Sequence, residues 1–141
     1  MFSASKYDPH AAPSDSLTIL VIEDDSGNRL LTRMTLNTAN YVCHCASSIE
    51  EGRDILHGGG VDLVVSDLMF DQSPAAALGL LEDMRADPVL ARIPVIVATG
   101  ERSTEIQRHV MALGAAGVLT KPYPREDLLA LVRQCLDGKQ A

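Results

Sequence analysis

The sequence predicts an α/β protein with a doubly wound, five-stranded parallel sheet and helices on both faces. The first observation is that short apolar runs alternate with segments in which apolar residues recur at helical spacing, five times in succession. The second is that 141 residues, 46% hydrophobic and 22% charged, are typical of one globular domain with a sizeable core.

The elements follow one another without an internal repeat. Residues 1–16 lack periodicity and are predicted to be a flexible tail, residues 17–138 the folded domain, and residues 139–141 a short C-terminal tail. The strands are predicted at residues 17–22, 41–46, 61–66, 95–98 and 117–119.

The first two helices combine apolar residues at helical spacing with polar residues that can cap them. Asp24 or Asp25 can cap the first helix, and Ser47 or Ser48 the second. Glycines 58–60 are predicted to end the second helix. The residues expected on the inner side of the first helix are Leu30, Leu31, Met34 and Leu36.

The later helices follow the same pattern. Ser103 or Thr104 begins the fourth helix, where Thr104 and Gln107 have the spacing of a capping box. Pro124 suits the first turn of the fifth helix, which is expected to end near Asp137.

Charge and hydropathy exclude several classes of function. The net charge of −7 argues against direct binding of nucleic acid, which is held by clustered Lys and Arg. No apolar run approaches the roughly 20 residues that cross a bilayer, so a cytoplasmic protein without a membrane partner is expected. Cys43 and Cys45 flank His44, but strand alternation places the histidine on the opposite face, which disfavours a zinc site.

Carboxylates follow two of the predicted strands. Glu23 and Asp24 come after the first strand, and Asp67 comes after the third. Because the carboxyl ends of parallel strands meet at one edge, where open α/β folds bind ligands, we expect these acids to converge. Gathered acids repel one another unless a cation lies among them, and oxygen ligands suit Mg²⁺. Together with Lys121 and Pro122 after the fifth strand, they predict a metal and phosphate site.

Each of these residues also has a purely structural explanation. Asp24 or Asp25 could simply cap a helix. Asp67 could be a loop acid, Lys121 an exposed lysine and Thr99 a turn residue. The ordered combination favours a site, because such a site requires opposite charges to converge.

The ordered set Glu23-Asp24, Asp67, Thr99 and Lys121-Pro122 resembles the receiver domain of two-component response regulators, as in chemotaxis regulators. The resemblance covers about residues 17–138. It implies a flavodoxin-like (βα)5 fold with strand order 2-1-3-4-5. It also implies a phosphoprotein that accepts a phosphoryl group on Asp67, in a magnesium-dependent reaction, from a sensor histidine kinase or a histidine phosphotransfer protein.

The same resemblance assigns roles within the site. It implies that Asp24 and Asp67 bind Mg²⁺ directly, Glu23 through a water molecule, and Met69 through its backbone carbonyl. Lys121 would contact the phosphoryl group and, before phosphorylation, pair with Asp67. The hydroxyl of Thr99 would turn toward a phosphoryl oxygen and draw the following loop inward.

Two features depart from the family pattern. Val118 stands where an aromatic residue usually completes the switch. The loop after the third strand reaches Gly79 late, which indicates a loop longer by a few residues. At the two positions that tune the rate of dephosphorylation, Met69 cannot orient an attacking water, whereas Glu101 could.

The expected function is phosphorelay signalling rather than turnover catalysis, since the chain would catalyse only its own phosphorylation and dephosphorylation. A pseudo-receiver that signals by protein contact alone is the alternative. A phosphatase with an aspartyl-phosphate intermediate is disfavoured, because Met69 stands where that class needs a second acid. We expect a stand-alone receiver that acts on a downstream target through the fourth helix, fifth strand and fifth helix, which could also form a phosphorylation-dependent homodimer.

Overall fold

The computed structural model describes residues 16–140, so the predicted N-terminal tail lies outside the described residues except for Ser16. In the described part, five strands alternate with five helices. The strands are β1 (Thr18–Ile22), β2 (Val42–Ala46), β3 (Leu63–Asp67), β4 (Val95–Thr99) and β5 (Gly117–Thr120). The helices are α1 (Ser26–Thr38), α2 (Ile49–His57), α3 (Ala75–Ala86), α4 (Thr104–Ala112) and α5 (Arg125–Gln140), with a 3₁₀ turn at Leu90–Arg92.

The strands form one parallel sheet in the order β2-β1-β3-β4-β5, which confirms the predicted class and topology. Alternate residues of β1 enter two separate cores. Leu20 and Ile22 pack with α2, α3 and α4 on one face, and Ile19 and Val21 pack with α1 and α5 on the other. Both faces of the sheet are therefore buried, as continuous apolar strands require.

The ends of some elements differ from the sequence-based boundaries. Thr99 and Thr120 belong to β4 and β5, one residue beyond the predicted ends, because the two strands pair up to these residues. Helix α5 continues to Gln140, so that residues 139 and 140 are helical rather than tail. The residues after Asp137 contain no proline, and glycine is tolerated at a helix end.

The predicted inner side of α1 is wrong for three of its four residues. Leu36 is fully buried, but Leu30, Leu31 and Met34 are 48%, 63% and 54% exposed. Asp25 caps the helix by accepting a hydrogen bond from the Asn28 backbone N–H at 2.8 Å, so the helix begins at Ser26. The sheet-facing side then includes Thr35 and Leu36, and a run of apolar residues lies on the outer side.

Gly52 of α2 packs closely against the sheet. An added Cβ would lie 2.5 Å from Cδ1 and 3.0 Å from Cγ1 of the buried Ile22. We expect Gly52→Ala to lower the free energy of unfolding by about 1–2 kcal/mol through overpacking, despite the better helix propensity of alanine.

Gly79 in α3 is the matched control, because its added Cβ would meet only Nη2 of Arg53 at 3.7 Å. Gly79→Ala should raise stability by about 0.5–1 kcal/mol. Urea unfolding of both variants checks the pair, and a stabilised Gly52→Ala variant would contradict the close packing.

Candidate functional site

The carboxyl ends of β1 and β3 bring the three predicted acids together. The register pairs Ile22 with Ser66, so the residues that follow them meet at one edge of the sheet. One carboxylate oxygen from each of Glu23, Asp24 and Asp67 lies within 4.8 Å of the others, in an arrangement that could hold a metal ion. Hard carboxylate oxygens suit Mg²⁺, so the donor set fits the predicted metal.

Lys121 places its ammonium against this cluster. Its backbone N–H donates to the carbonyl of Thr99 at 2.8 Å, which carries the β4–β5 pairing one residue past the strands. Its Nζ lies 3.4 Å from Oδ2 of Asp67, as predicted, but only 2.8 Å from Oε1 of Glu23. The shorter contact to Glu23 was not predicted. It follows from burial, because Glu23 is 6% exposed and needs an opposite charge.

The site perturbs the pKa values of Glu23 and Lys121. Burial raises the pKa of Glu23, and the charge of Asp67 adds to this rise. Hydrogen bonds from Lys121 and from the Asp25 backbone N–H oppose the rise without cancelling it. Burial by itself would lower the pKa of Lys121, but the hydrogen bond to Glu23 and the charge of Asp67 outweigh burial and raise it. The ammonium is therefore held firmly in its charged form.

The choice between Asp24 and Asp25 as helix cap is resolved. Asp25 caps α1 through Oδ2, whereas Asp24 contributes its oxygen to the acidic cluster. Arg29 donates from Nη1 to the carbonyl of Glu23 at 2.9 Å, which holds the β1–α1 loop. This role of Arg29 was not predicted, although its place one turn into α1 puts it within reach of this loop.

Thr99 lies at the tip of β4, next to the site. It follows Ala98, the register partner of Asp67, and it is 1% exposed. Its Oγ1 accepts a hydrogen bond from the Glu101 backbone N–H at 2.9 Å. The side chain thus spans the start of the β4–α4 loop, one residue from the register partner of Asp67.

The predicted capping box of α4 is wrong. Ser103 is the cap and accepts from the Ile106 backbone N–H at 3.4 Å. The Gln107 side chain instead donates from Nε2 to the Glu101 carbonyl at 3.3 Å and to Oγ1 of Thr120 at 3.2 Å. Because these partners lie six and 13 residues away, capping-box spacing could not reveal them.

The long loop after β3 forms a tight hairpin beside the site. Phe70 and Ser73 exchange backbone hydrogen bonds of 2.9 and 3.1 Å. Asp71 and Gln72 at its tip have φ values of 53° and 61°, the left-handed conformation of a type I′ turn. The hairpin follows Met69, whose carbonyl stays a predicted metal ligand.

An acidic cluster opposed by an ammonium, at the carboxyl edge of a flavodoxin-like sheet, defines the class: an open α/β protein with a candidate cation site at the strand ends. The comparisons with known proteins identify the family within this class. Residues 19–133 match the model of the response regulator receiver domain, and the chain belongs to that family. It is therefore a receiver domain of two-component signalling.

The similarity extends to curated proteins and to solved structures. The chain is 30% identical to the sensor kinase CckA of Brucella abortus and 26% identical to the phosphate regulon transcriptional regulatory protein PhoB of Pseudomonas aeruginosa. These alignments cover 88% and 84% of this chain but only 13% and 51% of those proteins. The chemotaxis response regulator CheY4 of Vibrio cholerae superposes with a TM-score of 0.77 at 24% identity, over 86% of this chain and 99% of CheY4.

The helices of residues 16–140 include none with the length and apolar character needed to cross a membrane.

Replacing Lys121 by Met removes the ammonium but keeps an unbranched side chain. We expect the pKa of Glu23 to rise further, because burial and the charge of Asp67 then act without the hydrogen bond of Lys121. A carboxyl group with a raised pKa in the folded protein binds its proton more tightly there than in the unfolded chain. Stability therefore falls as the pH rises from the unfolded value of 4.5 through the folded one, more steeply in the variant.

Carboxyl ¹³C NMR titration of Glu23, with urea unfolding at each pH, measures both effects. Arg92→Met is the control, since Arg92 lies in the 3₁₀ turn before β4, at the opposite edge of the sheet. An unchanged pKa of Glu23 in Lys121→Met would contradict the importance of this ion pair.

Proposed function

We propose that this receiver accepts a phosphoryl group on Asp67 from a phosphohistidine of a sensor kinase or phosphotransfer protein, and that phosphorylation changes its binding to a downstream target. The observation that carries the proposal is the position of Asp67, with two further carboxylates beside it and the Lys121 ammonium opposite. Phosphoryl transfer needs this combination, because the protein mainly orients the reactants and offsets their charge.

Asp67 is favoured over its neighbours as the acceptor because of how its oxygens are used. Oδ1 accepts a hydrogen bond from the Leu68 backbone N–H at 2.8 Å, which fixes the carboxylate, while Oδ2 points toward Lys121. Glu23 is more deeply buried, and both of its oxygens have hydrogen-bond donors, Lys121 Nζ and the Asp25 N–H. Asp67 is thus held in place and remains partly accessible to an incoming phosphorus atom.

The remaining groups have complementary roles. Asp24 and Asp67 would hold Mg²⁺ directly, Glu23 would act through water, and the Met69 carbonyl would complete the protein ligands. When bound, Mg²⁺ supplies positive charge that stabilises the transferring oxygens. Lys121 would move from its carboxylate partners to a phosphoryl oxygen, and Thr99 would donate its hydroxyl to another. These motions connect the modified carboxylate to β4 and β5.

The removal of the phosphoryl group also involves residues beside the site. Glu101 is exposed in the β4–α4 loop, so its carboxylate could orient an attacking water, whereas Met69 offers no polar side-chain group for this. We therefore propose that Glu101 tunes the lifetime of the phosphorylated form. The chain would then catalyse its own phosphorylation and dephosphorylation.

Asp67→Asn tests the acceptor. Incubated with Mg²⁺ and acetyl phosphate, the wild type should gain the mass of one phosphoryl group, whereas Asp67→Asn should gain none, because the amide is not a nucleophile. Intact-mass spectrometry measures the change. Asp71→Asn is the matched control, as it alters an exposed acid nearby in a left-handed turn that asparagine tolerates, and it should behave as the wild type. Phosphorylation of Asp67→Asn to the wild-type extent would refute the assignment.

The phosphodonor should dock over the outer side of α1. A cavity of about 640 Å³ extends from Glu23 and Lys121 to Leu31 and Tyr123, so one acid of the cluster, its lysine partner and α1 share one surface depression. Leu31 lines this cavity and is exposed, and Leu30 and Met34 are further exposed apolar side chains of α1. A protein that delivers a phosphoryl group to Asp67 has to cover this surface, and apolar side chains at its centre favour such contact.

Leu31→Glu tests this docking surface. We expect transfer from a phosphorylated histidine phosphotransfer domain that is active on the wild type to slow by about tenfold or more, because a charge is buried at the contact. Phosphorylation by acetyl phosphate should be unchanged. Val89→Glu is the control, since Val89 is 73% exposed beside the 3₁₀ turn at the opposite edge of the sheet. Equal slowing with both donors would argue against docking on α1.

A pseudo-receiver that signals without phosphorylation is not favoured, because the acids and the lysine do converge. The face formed by α4, β5 and α5 stays a hypothetical surface for the downstream target and for a phosphorylation-dependent homodimer. The domain boundaries, the cytoplasmic location and the stand-alone organisation also stay predictions.

A further inference from the structure

The tips of β4 and β5 are joined by a continuous chain of hydrogen bonds. Thr99 and Thr120 are register partners at these tips. The Glu101 N–H donates to Thr99 Oγ1, and the Glu101 carbonyl accepts from Gln107 Nε2. The other hydrogen of the same amide reaches Thr120 Oγ1 at 3.2 Å. Gln107 thus links the loop after Thr99 to the residue that precedes Lys121.

We propose that Gln107 is a positioning residue that holds the β4–α4 loop outward and thereby opposes engagement of Thr99 with a phosphoryl group on Asp67. This inference rests on the proposed phosphorylation of Asp67. Gln107 lies outside the acidic cluster. Its side-chain amide would couple the site to the surface between α4 and β5.

The direction of the effect follows from the geometry. Thr99 Oγ1 accepts a hydrogen bond from the Glu101 N–H at the start of the loop. If the hydroxyl rotates toward Asp67, this hydrogen bond has to break or Glu101 has to move inward. Glu101 cannot move inward without leaving Gln107, because α4 is anchored separately by its Ser103 cap and by Val110, which is 1% exposed. Engagement of Thr99 therefore competes with the hydrogen bonds of Gln107.

Val118 favours such a device in this chain. It is packed against the core face that contains Val97 and Val110, and a β-branched side chain has few rotamers to change between two states. A hydrogen-bonded amide can instead exist in two discrete arrangements, bonded to the loop or released from it. Release would change the surface between α4 and β5, where Gln107 is half-buried.

Gln107→Leu tests the proposal, because leucine has a similar volume but no donor. Beryllofluoride with Mg²⁺ serves as the probe for a phosphoryl group, and its binding is measured by NMR titration. Loss of the two hydrogen bonds should tighten the binding about threefold to tenfold. Thr120→Val removes one acceptor and should give a smaller gain. In the unliganded protein, the amide hydrogen of Glu101 should exchange faster in Gln107→Leu than in the wild type.

Two further variants separate this role from a general structural effect. Gln134→Leu changes an exposed glutamine on α5 and should leave binding at the wild-type level. In a Thr99→Val background, Gln107→Leu should have no effect on binding, because the link to the phosphoryl group is already cut. An unchanged or weaker affinity of Gln107→Leu, or an equal gain in the Thr99→Val background, would overturn the inference alone. Equal failure of wild type and Asp67→Asn to bind beryllofluoride would overturn both it and the proposed function.

Discussion

The attraction between the Lys121 ammonium and the carboxylates of Glu23 and Asp67 is the constraint on which the site depends. Three acids at one edge of a sheet repel one another, and burial of Glu23 increases the cost of its charge. The parallel register determines that these residues meet, because β1, β3 and β5 all end at the same edge. Pairing with the lysine offsets this repulsion.

The fold and the positions of the acids were predictable because they depend on periodicity and order along the chain. Continuous apolar runs define buried parallel strands, and residues after such strands have to share an edge. The face of α1 was not predictable in this way. Apolar Leu30, Leu31 and Met34 indicate an inner side, but the cap at Asp25 fixes where the helix begins and which side faces the sheet. Exposed apolar residues can also serve a contact with another protein. Apolar spacing along a helix does not distinguish such residues from those buried in the core.

The convergence of the acids and Lys121 was predictable, but the contacts among them were only partly so. Neighbouring acids such as Asp24 and Asp25 are equally suited to cap a helix, and only the path of the β1–α1 loop distinguishes them. The closer pairing of Lys121 with Glu23 depends on relative burial, which has no local sequence signal. Gln107 shows the same limit, because a residue with capping-box spacing uses its amide for tertiary contacts instead.

The two ends of the proposed signalling path lie on opposite sides of the same strand tips. The α1 surface borders Glu23 and Lys121, where a donor would approach, and the α4 surface borders Thr99 and Thr120, where a target would read the change. Lys121 directly follows Thr120, so the residue that offsets charge in the site and the residue braced by Gln107 are neighbours in the chain. A displacement of the ammonium toward a phosphoryl group would therefore act on the end of β5 directly. Val118 on that strand has no aromatic ring that could change position. Hydrogen bonds of the backbone and of the Gln107 amide would then couple the site to the α4 surface.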